Sequence, residues 1–426
     1  MTNLQTNRTT TLIFLTAVYA LSTLDRYLLG VLIPSIKEDL GLSDTALGLL
    51  AGAAFAIFYA TLGLPLARLA DKYGRKLIII ISLFIFSIMT SLCGLAVGFW
   101  TLFLARVGVG IGEAGTTPAS LSMLSDLYPK EQRSTAMSVL SIGGNIGVLA
   151  GFILGGLIAE HYGWQYAFIF VGIPGVILAA ILALKLQEPT RGQADNLGSN
   201  ESFQQTSIKE LISFLWGQKS FLCNIFGMAL ILFFMNGMLA WLPSYFSRSH
   251  GMELSNISLM VGLALGLGGP IGTILIGGIL ADKLTAKNIS YGAKMVAIGA
   301  FLLVPTYLIV ISATNLTLAI GAFVLPAIMG MFFQGPLLAM SQAATPVSMR
   351  SSSAALMLFV GNIIGLGLGP FVIGFISESL SDTYGTESLR YALYVIPVAA
   401  LLAAIVVFAG SFSLKKDIDR AENWSR

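Results

Sequence analysis

Ala67-Arg68-Leu69-Ala70-Asp71-Lys72-Tyr73-Gly74-Arg75-Lys76 is a short charged break between two apolar runs, and Gly278-Ile279-Leu280-Ala281-Asp282-Lys283 echoes it, with Asp282 lying 211 residues beyond Asp71. Both copies hold Leu-Ala-Asp-Lys. A second pair, Pro129 to Arg133 and Pro346 to Arg350, repeats a Pro-x-x-x-Arg spacing at an offset of 217. Near-constant offsets of this size mark two similar halves arranged in parallel along the chain. They predict an N-terminal half over 1–186, a linker over 187–218 and a C-terminal half over 219–426 ending in a short tail. The linker is Gln/Ser/Asn-rich to Thr206 and then predicts a short surface helix around Ile208 to Trp216.

At 56% hydrophobic and 11% charged residues, the 426-residue chain is too apolar for a water-soluble domain. A spanning helix takes about 20 mostly apolar residues. Twelve runs qualify, centred near Ser22, Ala56, Phe86, Glu113, Gly147, Ile177, Phe233, Leu267, Leu303, Leu325, Gly365 and Ala400. The runs are continuous and not alternating, which excludes a strand barrel. The expected fold is an all-α membrane protein of twelve transmembrane helices in two pseudo-symmetric six-helix halves.

With the N-terminus inside, nineteen of the twenty-four Lys and Arg fall in cytoplasmic segments, three (Lys37, Arg248, Arg390) fall outside and two lie within spans. That asymmetry orients the chain with both termini cytoplasmic. Only Arg8 precedes the first run, which has the length of a full span, so no cleavable leader is expected. A net charge of +3 gives no reason to expect a nucleic-acid partner. Cys93 and Cys223 fall at opposite depths, which argues against a disulfide. His161 and His250 both map to external loops, so neither a metal site, a cofactor nor an enzymatic acid–base pair is expected.

Four ionisable residues stand inside spans: Asp25 and Arg26 in the first, Arg106 and Glu113 in the fourth. Each costs about 2.5–3.5 kcal/mol at a helix centre, so they must find each other or water. At ~1.5 Å per residue, Asp25 and Arg106 come to nearly the same depth, with Glu113 ~10 Å nearer the cytoplasm on the Arg106 face. Asp25 and Arg26 point about 100° apart and need separate partners. The expected arrangement sets Asp25 against Arg106 and leaves Arg26 and Glu113 facing a central cavity. Asp25 and Glu113 are then the proton-coupling candidates, Glu113 the better one if Arg106 holds Asp25 ionised. Burial and a close Arg act oppositely on a carboxylate, so the residues alone leave open which acid titrates. The competing reading is an ionic lock between the first and fourth spans.

No charge occurs within the spans of the second half, where the repeat places Asn236 opposite Asp25 and Gly330 opposite Glu113. The other cavity wall is therefore expected from Asn224, Asn236, Trp241, Tyr245, Gln334 and Met340. Arg26, Arg106, Asn236, Trp241, Tyr245 and Gln334 are the substrate-binding candidates. Such a wall suits an amphipathic molecule with its charged head at Arg26. Glycines 143, 147, 151 and 155, and 361, 365 and 369, recur at a spacing that lets helices approach closely.

Asp71-Lys72-x-Gly74-Arg75-Lys76 with its degenerate copy, Arg106-x-x-x-Gly110 and the Gly-rich fifth span together resemble the major facilitator superfamily over the whole chain. Leu24-Asp25-Arg26, the stretch from Gly108 to Gly115 (Gly-Val-Gly-Ile-Gly-Glu-Ala-Gly), Asp126-Leu127-Tyr128-Pro129 and Trp164 to Phe168 are similar to its Spinster-like branch, particularly the bacterial members. Anion–cation symporters of the superfamily carry a similar Gly-Glu-Ala-Gly. Two departures stand out: Ala67 replaces the usual leading Gly, and the second copy has Thr285-Ala286-Lys287 where Gly-Arg-Lys is expected.

The resemblance implies alternating access in an inner cell membrane by a monomer, coupled to protons and carrying lysophospholipid or sphingosine-phosphate-type cargo. It also implies gating at the loop residues Asp71, Arg75, Arg133, Asp282 and Arg350. Asp71 would latch to the positive end of a helix in the opposite half, with Arg133 as its partner in the first half and Asp282 with Arg350 in the second. The rival within transport is a symporter of small organic anions such as sugar or aromatic acids. The rival outside it is a non-transporting membrane sensor.

Overall fold

The computed structural model describes residues 8–190, 208–346 and 349–424, which are helical almost throughout and hold no strand. Ten helices among them are long and apolar enough to cross a membrane. In the first half these are span 1 (Arg8–Leu40), span 2 (Asp44–Tyr73), span 3 (Arg75–Cys93), span 5 (Lys130–Tyr162) and span 6 (Trp164–Lys185). In the second they are span 7 (Lys219–His250), span 8 (Leu254–Lys287), span 9 (Ser290–Ser312), span 11 (Ser352–Ser379) and span 12 (Ser381–Gly410).

Spans 4 and 10 complete the expected twelve, and each is broken. Span 4 runs Phe99–Glu113 and Thr116–Leu127; span 10 runs Leu316–Ile328 and Gln334–Ala343. The breaks fall directly after Glu113 and around Gly330, the two positions that the 217-residue offset relates. At the first break the Thr116 hydroxyl donates to the Glu113 carbonyl (2.8 Å), replacing part of the interrupted ladder.

Turn chemistry explains where several helices end. Gly74 (φ 101°) and Gly163 (φ 96°) each make a one-residue connection in backbone conformations that side-chain-bearing residues avoid. Gly74 is the glycine of the charged loop, and its absence from the second copy lets the helix continue through Thr285 and Ala286 to Lys287.

The chain divides into two compact units: the residues up to 201 with Met252–Gly262, and Ser202–Gly251 with Leu263–Arg426. The stretch Met252–Gly262 crosses the expected boundary because it packs on span 5. Glu160 accepts a hydrogen bond from the Ser255 amide (2.7 Å), and Gly156 leaves room for the Ser258 side chain.

In the first unit the glycine stripe of span 5 lies on span 1. A Cβ added at Gly143 would come within 2.5 Å of the Thr16 carbonyl oxygen, one at Gly151 within 2.9 Å of that of Leu24, and one at Gly147 would collide with Ala20. Span 3 packs on span 6, whose entry is fixed by Trp164 Nε1 donating to Asp39 (2.9 Å). In the second unit Gly361, Gly365 and Gly369 of span 11 seat on Leu232 and Phe233 of span 7. Span 8 widens to i→i+5 turns over Gly272–Leu280, where Gly272 and Gly277 meet the Ile328 and Phe332 carbonyls of span 10.

The linker helix does form over Ile208–Trp216, and the tail forms a second helix, Leu414–Trp424. Phe214 stacks edge-on with Trp424 (4.8 Å), Arg420 donates to the Gly217 carbonyl (2.9 Å), and buried Asp417 accepts from the Ser220 amide at the start of span 7 (2.7 Å). Both pieces therefore dock on the second unit.

Candidate functional site

Span 1 carries Ser22 and Arg26 four residues apart, hence on one face, while Asp25 points elsewhere. That geometry splits the four intramembrane charges into two pairs. Arg106 Nη1 donates to Asp25 Oδ2 at 3.0 Å, both residues fully buried. Arg26 Nη2 donates to Glu113 Oε2 at 2.8 Å. Each carboxylate also receives a hydroxyl: Thr90 of span 3 donates to Asp25 Oδ1 (2.6 Å), and Ser22 donates to Glu113 Oε2 (2.8 Å).

The glycine-rich run before Glu113 makes this convergence possible. A Cβ at Gly110 would sit 2.6 Å from the Phe55 carbonyl oxygen, so the bare glycine brings span 2 against span 4. Phe55 then lies under both guanidinium groups, 5.2 Å from that of Arg26 and 5.4 Å from that of Arg106. Tyr59, one turn on and stacked with Phe55, lies 4.8 Å from Arg26. These cation–π contacts lower the cost of burying two cations in an apolar bundle. On the next face, Gly112 would place a Cβ 2.5 Å from the Phe86 amide nitrogen, so its bareness brings span 3, and with it Thr90, within reach of Asp25.

Exposure separates the four roles. The Arg26 side chain is 22% exposed, whereas Asp25, Arg106 and Glu113 are at 0%. Arg106, expected to bind substrate, is sealed behind Phe55 and committed to Asp25. Glu113, expected to face an open cavity, is covered because the long Arg26 side chain folds back onto it. Among the described residues Glu113 Oε1 and Arg106 Nε and Nη2 have no hydrogen-bond partner.

In the second unit the expected wall changes more. Trp241 is fully buried and donates from Nε1 to the Pro370 carbonyl (2.8 Å), tying span 7 to span 11. Tyr245 is equally buried and donates to the Val310 carbonyl (2.7 Å), tying span 7 to span 9. Both are buried between helices and anchor their packing in this structure; a large aromatic with one polar atom serves packing or binding, and sequence does not separate the two. Asn224 (to Ser341, 3.3 Å) and Met340 are likewise buried. Asn236 is half-buried and returns its amide to the Leu232 carbonyl of its own helix (2.8 Å); Gln334, half-buried, opens the second piece of span 10.

At the Arg75 end of the first unit, the ionic centre is Arg75 itself. It donates from Nε to Glu188 Oε1 (2.7 Å), from Nη2 to the Pro189 carbonyl (2.8 Å) and from Nη1 to Asp126. Glu188 also accepts from the backbone amides of Arg75 (3.2 Å) and Lys76 (2.6 Å), capping the positive end of span 3. Asp126 and Glu188 were visible in sequence as part of Asp-Leu-Tyr-Pro and as the start of the linker, but nothing there linked them to Arg75. Arg133 donates to the carbonyls of Ser125 (3.0 and 2.6 Å) and Tyr128 (3.0 Å), closing the end of span 4. Asp71 is exposed. Asp282 and Arg350 are not brought together: both are exposed, and Arg350 donates to the Thr345 carbonyl (3.4 Å).

The sequence pattern of the Major Facilitator Superfamily matches residues 15–370. An MFS-type efflux pump of Mycolicibacterium smegmatis is 31% identical over 405 residues, covering 95% of this chain and 92% of its own. A hexuronate transporter of Bacillus subtilis is 25% identical over 401 residues, covering 92% and 93%. Among solved structures, a bacterial homologue of the human lysosomal transporter Spinster, inward-facing and unoccupied, superposes with a TM-score of 0.86 at 28% identity over 96% of this chain and 98% of its own.

Proposed function

We propose, from the premise that this chain belongs to the Major Facilitator Superfamily, that it is a proton-coupled secondary transporter of an amphipathic anion of lysophospholipid or sphingosine-phosphate type. It works as a monomer by alternating access, in the inner cell membrane, with both termini cytoplasmic. The observation that carries the coupling is the Arg26–Glu113 pair: a fully buried acid held by the one cation of the cluster that keeps some exposure. Protonating Glu113 removes the charge that holds Arg26 and frees its guanidinium for an anionic head group. A ligand anion and a proton then bind with linked affinities, which is the requirement for coupling.

The apolar neighbours support an amphipathic cargo. Arg26 sits over the faces of Phe55 and Tyr59, and the charged residues of spans 7 to 12 lie toward the helix ends. The likeness to a sphingosine-1-phosphate transporter of Danio rerio, 23% identical over 429 residues, favours a lipid-like molecule; the hexuronate transporter keeps small sugar acids as the rival. Both would use Arg26, but only the lipid needs apolar surface.

Purified protein in liposomes, given a pH gradient and either a labelled lysophospholipid or a labelled small carboxylate, tests the reading. Gradient-dependent flux of the lysolipid is expected. Flux of the carboxylate alone would reassign the substrate, and no flux of either would revive the sensor.

A further inference from the structure

Two carboxylates in one cluster raise the question of which takes the proton, and the hydroxyls around them answer it. Asp25 has both oxygens engaged, Oδ1 by Thr90 (2.6 Å) and Oδ2 by Arg106 (3.0 Å). Glu113 receives its two donors, Ser22 and Arg26 (2.8 Å each), on the single oxygen Oε2. Its Oε1 is wholly buried and has no partner among the described residues. A proton taken by Asp25 weakens a hydrogen bond on whichever oxygen receives it; one taken at Glu113 Oε1 disturbs neither donor on Oε2 and removes the charge from an oxygen that nothing solvates.

We infer that Thr90 and Ser22 are positioning residues that allocate the proton, Thr90 reserving Asp25 as a carboxylate and Ser22 turning Glu113 so that Oε1 is the accepting atom. The O–H bond forms at Oε1, the carboxylate becomes a neutral acid, and Oε2 remains an acceptor for Ser22 as the carbonyl oxygen. The charge attraction to Arg26 is lost in the same step. The other titratable groups around the cluster are Tyr19 and Tyr27 of span 1 and Tyr59 of span 2, all near Arg26, and Cys93 of span 3, near Asp25 and Arg106. None replaces a donor on either carboxylate. Among the described residues, span 3 reaches the acids through the Thr90 hydroxyl, which bonds Asp25 and not Glu113. For its transport consequence the inference rests on the proton-linked reading above; its chemistry does not.

Infrared difference spectroscopy of the full-length protein in lipid vesicles, following the protonated-carboxyl C=O band across a pH titration, tests it. Wild type is expected to show one titrating buried band, absent in Glu113→Gln and retained in Asp25→Asn. Thr90→Val is expected to add a second band, and Thr90→Ser, which restores a hydroxyl, to remove it again. Ser22→Ala should keep a single band and move it to higher frequency, because the carbonyl loses a hydrogen bond. A band that survives Glu113→Gln and disappears in Asp25→Asn overturns the inference, as does an unaltered single band in Thr90→Val. Flux through the same vesicles separates the two levels. Expected bands with pH-independent flux defeat only the coupling reading, and pH-driven flux with the bands assigned to Asp25 defeats only this one.

Discussion

At the scale of single residues, two ion pairs with the same chemistry serve different ends because their surroundings differ. Asp25 and Arg106 are both sealed, so breaking the pair strands a charge in the bundle. Arg106→Ala is expected to destabilise the protein by about 3–5 kcal/mol, read as a large drop in the thermal unfolding midpoint in detergent. Arg26→Ala also leaves a buried acid, but Glu113 can shed its charge by taking a proton at Oε1. It is expected to remain folded with a much smaller loss of midpoint while losing uptake. Equal losses of stability in the two variants would contradict this division. Ser22, Phe55, Tyr59 and Thr90 escaped the sequence reading for a physical reason: serine, threonine and aromatic side chains are common in membrane helices, and only proximity to a charge distinguishes these four.

At the scale of helices, glycines set the distances at which the charged groups can meet. Gly112 touches the backbone of span 3 at Phe86, which cannot yield as a side-chain tip can. Gly112→Ala is expected to cost about 1–3 kcal/mol and to reduce transport by moving Thr90 away from Asp25. Gly321, in the first piece of span 10, has open space around its Cβ position. There Gly321→Ala is expected to be neutral or to stabilise by about 0.5–1 kcal/mol, since alanine favours a helix interior. Unfolding midpoints of the two variants side by side check both. Arg75 joins the ends of spans 3, 4 and 6 through Asp126 and Glu188. Arg75→Ala is expected to cost on the order of 2–3 kcal/mol, the value of hydrogen bonds made by a charged group; Glu188→Gln, which keeps the acceptor oxygen for the cap, is expected to cost less.

At the scale of the whole molecule, the repeat and the twelve apolar runs made the architecture legible, because membrane crossing imposes length and hydropathy directly on sequence. The pairing of Asp25 with Arg106 was legible too, since helical rise alone sets both at one depth. What was not legible depends on side-chain direction across helices. Arg26 folds onto Glu113, Trp241 and Tyr245 turn into packing, and Arg75 takes the centre of the loop cluster. The breaks after Glu113 and around Gly330 also lay beyond a reading of hydropathy, which is continuous across them. We propose Asp71, which is exposed, as a gating contact; Asp71→Asn is expected to slow transport with little change in expression, and wild-type flux in that variant would remove the latch.

The coupling of proton to cargo at the Arg26–Glu113 pair is tested most directly by measuring liposome uptake of the labelled lysolipid as a function of pH in wild type and Glu113→Gln. Glu113→Gln, which fixes the side chain in a neutral form, is expected to give flux that no longer responds to pH. A pH dependence identical to wild type would contradict the assignment of the switch to Glu113.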